Sequence, residues 1–239
     1  CSNHFDGIIV AAESIAHSLH ERGVTNTTII HNYPKIRGID VDDGAKGVPS
    51  DEYALIYVGG LSIVRGLIDM IEVVAELRDR DLPVTLVCMG EFTTEQLEYD
   101  ARTRIRALGI EDAIEFPGQI DYEQIFEYLS AADVGLALLD TEHFDGDIPT
   151  KLFEYMYAEV PVIITDIQAS KEYVSRDWGR IIPERETDKQ ADVIADLLDD
   201  PVLRSEMGSA GRNAVESRFS WESEEEKLLE LYEDVLSKR

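Results

Sequence analysis

Short, nearly continuous apolar runs alternating with amphipathic stretches constrain this chain more than any other feature. Residues 53–60, 84–90, 113–116, 132–139 and 160–165 are too short for buried helices and too uniformly apolar for half-solvated strands. They read as strands covered on both faces, the pattern of a parallel sheet. Between them lie helix-spaced segments. The first has Leu67, Ile68, Ile71, Val74, Ala75 and Leu77 facing inward; a second runs from Thr94 to Leu108 and is closed by Gly109. A third follows Asp121, and a fourth begins at about Lys151 with Thr150 where an N-cap would stand. A short edge strand is expected at 179–182 and helices at 170–175, 187–199, 201–216 and 221–237, with Ser220 capping the last. The predicted class is α/β, a parallel sheet with helices on both faces.

A sheet of that kind holds ligands at the carboxyl ends of its strands. The polar and glycine residues that packing does not require fall at those ends. Gly59 and Gly60 close the first long strand, and Arg65 follows at the mouth of its helix. Glycines there let backbone approach an anion, and a guanidinium supplies a two-pronged donor. Gly90 closes the second strand, Gln119 and Ile120 follow the third, and Gly146, Pro149 and Thr150 lead into the fourth helix. Lys151 stands in that helix's first turn, where the dipole favours an anion over a cation. An anionic ligand, such as a phosphate, accounts for a lysine there. Glu154 lies one turn on, where a carboxylate can accept hydrogen bonds from sugar hydroxyls. No Gly-x-Gly-x-x-Gly stretch is present, which counts against a nicotinamide or flavin reader.

The run Pro149-Thr150-Lys151-Leu152-Phe153-Glu154-Tyr155-Met156, followed by Val160-Pro161-Val162-Ile163, resembles the donor-nucleotide motif of retaining GT-B glycosyltransferases of the family 4 (group 1) type. Their motif places a second glutamate eight residues before the one matched by Glu154, and here that position is Gly146. Where they usually show Gly-Arg-Leu-x-x-x-Lys-Gly, Gly60 takes the arginine's place and Arg65 the lysine's. The stretches Phe116–Ile120, Leu129–Val134 and Phe219-Ser220-Trp221 also resemble family patterns. The resemblance implies the Rossmann-like C-terminal half of a GT-B enzyme that transfers a sugar from a UDP- or GDP-sugar with retention. It assigns the departing diphosphate to Arg65, Lys151 and the amides around Gly146–Leu152, and the ribose to Glu154. The nucleotide would lie along Gly59, Gly60 and Gly90, with its base at Gln119 and Ile120. No metal or cofactor is implied, and the partners would be the nucleotide sugar and a glycan or lipid-linked acceptor.

Residues 1–34 are expected to be the tail of the preceding GT-B domain. A linker at 35–51, a nucleotide-sugar domain at 52–218 and a bracing helix at 219–239 follow. The chain opens on Cys1 rather than Met and reads as a truncated form whose isolated activity would be poor. A formal charge of −27 argues against nucleic-acid binding, which needs a basic face. Seven lysines against fifteen arginines, with acids spread along the whole length, resemble a salt-adapted, halophilic surface. The acidic run at 222–226 reads as a solvated helix start. No segment approaches the roughly 18 apolar residues of a membrane helix. The expected setting is cytoplasmic, with the full-length protein free to associate peripherally with the inner face of a membrane. Two alternatives keep the fold: a nucleotide-sugar 2-epimerase, and a non-catalytic nucleotide-sugar-binding or assembly subunit.

Overall fold

A computed structural model describes residues 5–39, 41, 52–144 and 148–237. Two compact units divide the chain: Cys1–Gly38 with Ala214–Arg239, and Ile39–Asn213.

The larger unit holds a six-stranded sheet. Its strands are β3 (Tyr53–Val58), β4 (Val84–Met89), β5 (Ile114–Gly118), β6 (Val134–Ala137), β7 (Val162–Thr165) and β8 (Gly179–Ile182). They pair in the order β5-β4-β3-β6-β7-β8, every pair parallel. The chain therefore winds outward from β3 in one direction and from β6 in the other. The direction changes between β3 and β6, and a crevice opens beyond the carboxyl ends of strands at such a point.

Alternate residues of each strand point to opposite faces. Leu55 and Tyr57, Leu86 and Cys88, and Leu136 and Leu138 join one cluster with helices α2 (Leu67–Asp79), α3 (Glu95–Leu108) and α7 (Thr187–Asp199). The other face is met by α5 (Lys151–Tyr157), whose Tyr155 ring lies on Gly135 of β6. Helices α4 (Tyr122–Leu129), α6 (Ser170–Tyr173) and α8 (Pro201–Arg218) complete the set, α8 passing from the larger unit into the smaller.

Turn chemistry fixes several boundaries. Thr94 accepts the Leu97 amide at 3.1 Å and so caps α3, while Gly109 ends it in the left-handed region at φ 68°. Two expected caps are corrected. Thr150 has helical dihedrals and makes no side-chain cap bond, and Asp121 precedes α4 without one. The Asp121 carbonyl takes the Gln124 and Ile125 amides instead.

In the smaller unit, β1 (Ile8–Val10) and β2 (Thr27–Ile29) pair in parallel across α1 (Glu13–Glu21). Helix α9 (Trp221–Ser237) corrects the reading of its acidic start as merely solvated. Glu224 is buried, receiving the His31 amide at 3.0 Å and Lys227 Nζ at 2.7 Å. Glu222 accepts the amides of Arg37 at 2.8 Å and Ile36 at 3.3 Å. These carboxylates tie the segment after β2 to α9.

Candidate donor-binding site

The loops after β3, β4, β5 and β6 build two adjoining cavities in the larger unit. They share Val58 and Gly59. The loop after β3 is pinned to its neighbours by backbone bonds: Gly59 N–H to Met89 O at 2.8 Å, Leu61 N–H to Glu91 O at 2.8 Å and Asp140 N–H to Val64 O at 3.0 Å. Two glycines make that close approach feasible. A Cβ on Gly90 (φ 146°) would meet the Gly59 carbonyl oxygen at 2.1 Å, and one on Gly66 (φ 78°) would meet that of Leu138 at 1.9 Å.

The cavity on the β6 side has a volume of about 270 Å³ and is lined by Gly59, Arg65, Pro149, Thr150, Lys151 and Glu154, with Phe144 and Ile148 closing it. Lys151 and Arg65 converge on Gly59. The position a Gly59 Cβ would take lies 3.1 Å from Lys151 Nζ and 3.6 Å from an Arg65 guanidinium nitrogen. The Arg65 group also covers Gly60, 3.3 Å from where a Cβ would stand, so the space of a side chain at 60 belongs to Arg65.

Lys151 is buried, and its ammonium nitrogen has no hydrogen-bond partner among the described residues. It sits 3.7 Å from the centre of the Tyr57 ring. Burial pushes its pKa well below the usual lysine value, and the Arg65 charge pushes the same way, opposed by Glu154. Glu154 is also buried, which raises its pKa against the pull of Lys151 and the Tyr122 hydroxyl. It is the single carboxylate among the described residues lining this cavity. Among the described residues lining this cavity, two converging cations face one carboxylate, and one of the cations lacks a hydrogen-bond partner. Buried donors without partners are costly, and an anion with several acceptor oxygens removes the cost.

The amides of α5 contribute less than its position suggests. Those of Leu152, Phe153 and Glu154 already bond to the carbonyls of Pro149 and Thr150. The two side-chain cations are the charged groups of this cavity that attract an anion. Gly146 lies outside the described residues.

The second cavity, of about 340 Å³, lies between the ends of β3, β4 and β5. Gly59, Gly60, Gly90, Gln119 and Ile120 all line it, together with Glu91 and Ile125, which periodicity alone did not single out. Tyr155 was given no role by the sequence. Its hydroxyl accepts the Val58 amide at 2.9 Å and donates to Leu136 O at 3.4 Å, fastening α5 beneath the β3–β6 seam.

Residues 39–214 match the family model described as glycosyl transferases group 1. A GDP-mannose-dependent monoacylated alpha-(1-6)-phosphatidylinositol monomannoside mannosyltransferase of Corynebacterium glutamicum is 31% identical over 133 residues, covering 54% of this chain and 35% of that protein. The fold superposes on a glycosyltransferase of Rickettsia africae with a TM-score of 0.83 at 15% identity, over 98% of this chain and 64% of that one. It superposes on Anabaena HepE, solved with UDP and glucose, with a TM-score of 0.79 at 18% identity, over 98% and 65%. The chain spans about half or less of the length of the curated relatives it matches, from 35% to 51%. Sheet order, the cavities at the change of winding and the match over 39–214 agree: this chain belongs to the group 1 glycosyl transferases, with the α/β, Rossmann-like fold of GT-B proteins.

Proposed function

We propose that residues 39–213 bind the nucleotide-sugar donor of a retaining glycosyltransferase. The observation that carries this reading is the buried, unpartnered Lys151 ammonium beside Arg65. The diphosphate lies against these two groups and the ribose hydroxyls on Glu154. The base extends across Gly59 into the second cavity, past Gly90 to Gln119 and Ile120. In the transfer, the bond from anomeric carbon to phosphate oxygen breaks, the acceptor oxygen bonds to that carbon, and the acceptor hydroxyl's proton passes to the departing diphosphate. Negative charge grows on the departing diphosphate, and cations already in place stabilise it without reorganising. The matched mannosyltransferase is described as GDP-mannose-dependent and HepE was solved with UDP and glucose; both fit a nucleotide-sugar donor.

The acceptor belongs to the whole protein, of which a lipid-linked or glycan hydroxyl is the expected kind. Among the described residues no helix is long and apolar enough to cross a membrane.

Glu154→Ala tests the ribose assignment. Its affinity for GDP and UDP is expected to fall about tenfold, the scale of hydrogen bonds to a charged group, with inorganic pyrophosphate bound as before. Titration calorimetry reads all three. Equal losses for pyrophosphate and the nucleotides would remove Glu154 from the ribose.

A further inference from the structure

The second cavity has walls suited to one class of base. Val58, Met89, Ile120 and Ile125 give it apolar faces, and its backbone is contributed largely by Gly59, Gly60 and Gly90. Among the described residues lining it, Glu91 and Gln119 are the two with hydrogen-bonding side chains. Both are held at the mouth by their backbone. The Glu91 carbonyl accepts the Leu61 amide at 2.8 Å, and the Gly118 carbonyl, one residue before Gln119, accepts the Gly90 amide at 2.8 Å. Both side chains are exposed toward solvent and stand outside the hydrogen bonds and ion pairs of the described residues.

We propose that Glu91 and Gln119 select guanine as the base of the donor. This inference rests on the nucleotide-sugar reading of the adjoining cation pair. An ionised carboxylate has two acceptor oxygens and no donor, whereas a glutamine amide offers an NH2. Guanine presents three groups in a row along one edge: the O6 acceptor, then the N1–H and N2–H donors. The two donors meet the two Glu91 oxygens in a paired, charge-assisted contact, and the Gln119 NH2 meets O6. Uracil offers one N–H between two carbonyl oxygens. A carboxylate that takes this N–H turns its second oxygen toward a carbonyl lone pair. Adenine sets its amino donor beside a ring-nitrogen acceptor, with the same conflict. Discrimination therefore comes from repulsion of the wrong edge as well as attraction of the right one. The apolar walls accept any flat base and contribute affinity without choice.

Calorimetry with GDP, UDP, ADP and inorganic pyrophosphate, on the wild-type chain and on Glu91→Ala and Glu91→Gln, tests the assignment. The wild type is expected to bind GDP at least about tenfold more tightly than UDP or ADP, the scale of one good paired contact to a base edge. Glu91→Ala is expected to bring the three nucleotides to within about threefold of one another, Glu91→Gln to fall between, and pyrophosphate to bind all three proteins alike. A wild-type preference for UDP or ADP overturns the guanine assignment while leaving the donor site standing. A GDP preference that survives Glu91→Ala removes Glu91 from base selection. Failure of every nucleotide and of pyrophosphate to bind the wild type overturns the donor site itself, and this inference with it.

Discussion

Replacing Lys151 with methionine is expected to make the protein more stable and, in the same step, to deprive it of most of its affinity for a nucleoside diphosphate. Two opposing effects act on the lysine in the ligand-free fold. Its ammonium lies 3.7 Å from the Tyr57 ring centre, a cation–π contact of about 2 kcal/mol in a desolvated setting. Against this stands removal of the charge from water without a hydrogen-bond partner, which costs several kcal/mol. Burial first, and then the Arg65 charge, push the Lys151 pKa well down against the pull of Glu154, and the several kcal/mol of lost hydration exceed the ring contact. Between the depressed folded pKa and the ordinary 10.5, the unfolded chain holds a proton that the folded chain has shed. Stability therefore rises with pH across that window, and Lys151 is a liability below it. Methionine keeps the length and packs on the tyrosine through its sulfur. Denaturant unfolding should show a gain of about 1–3 kcal/mol near neutral pH, with GDP and UDP affinity reduced tenfold or more. Loss of stability in this variant would mean that Lys151 is a structural ion rather than a ligand group.

Gly135→Ala is expected to destabilise the larger unit strongly. A Cβ at this position in β6 would lie 2.4 Å from Tyr155 Cδ2 and 2.8 Å from its Cγ, far inside ordinary contact. The ring cannot swing aside freely, because its hydroxyl holds the Val58 amide at 2.9 Å in a buried setting. Overpacking of this kind costs about 1–3 kcal/mol, and orphaning a buried donor costs a similar amount again. We expect about 3–5 kcal/mol of lost stability, read as a shift of the denaturant midpoint. Because Tyr155 anchors α5, Lys151 and Glu154 should shift with it, and donor affinity should fall in whatever fraction stays folded. A change below about 1 kcal/mol would show that α5 is more loosely seated than its bonds indicate.

The sheet was legible because its strands are apolar on both faces and few other structures tolerate runs of four to eight such residues. Their ends were less so. The run opening at Ala132 becomes β6 only at Val134, since the Asp133 carboxylate accepts the Ala54 amide at 2.9 Å and pairs with Arg204 at 3.1 Å. The run opening at Val160 becomes β7 only at Val162, after Pro161, which has no N–H to give. Residue chemistry at strand ends led to Arg65, Lys151 and Glu154, which line one cavity, and the family resemblance led to Gly90, Gln119 and Ile120, which line the other. What stayed hidden depends on contacts between distant positions. Glu224 meets His31, and Glu222 meets Ile36 and Arg37, across almost the whole chain, so local charge pattern showed only a solvated acidic run. Tyr57 and Tyr155 fit the apolar periodicity, which cannot reveal that one lies under the Lys151 ammonium and the other holds a backbone amide. Arg65 over Gly60 was invisible for the same reason: the arginine missing from position 60 has its space filled from position 65.

The central claim is that the Lys151 ammonium lacks a hydrogen-bond partner among the described residues until a diphosphate arrives. The direct measurement is proton uptake on GDP binding. Calorimetry in two buffers of different ionisation enthalpy, at about pH 8, compares the wild type with Lys151→Met. An arriving diphosphate raises the Lys151 pKa back toward its ordinary value. The wild type should therefore take up a measurable fraction of a proton that the variant does not. Identical proton uptake in the two proteins, with GDP bound equally well by both, would contradict the account.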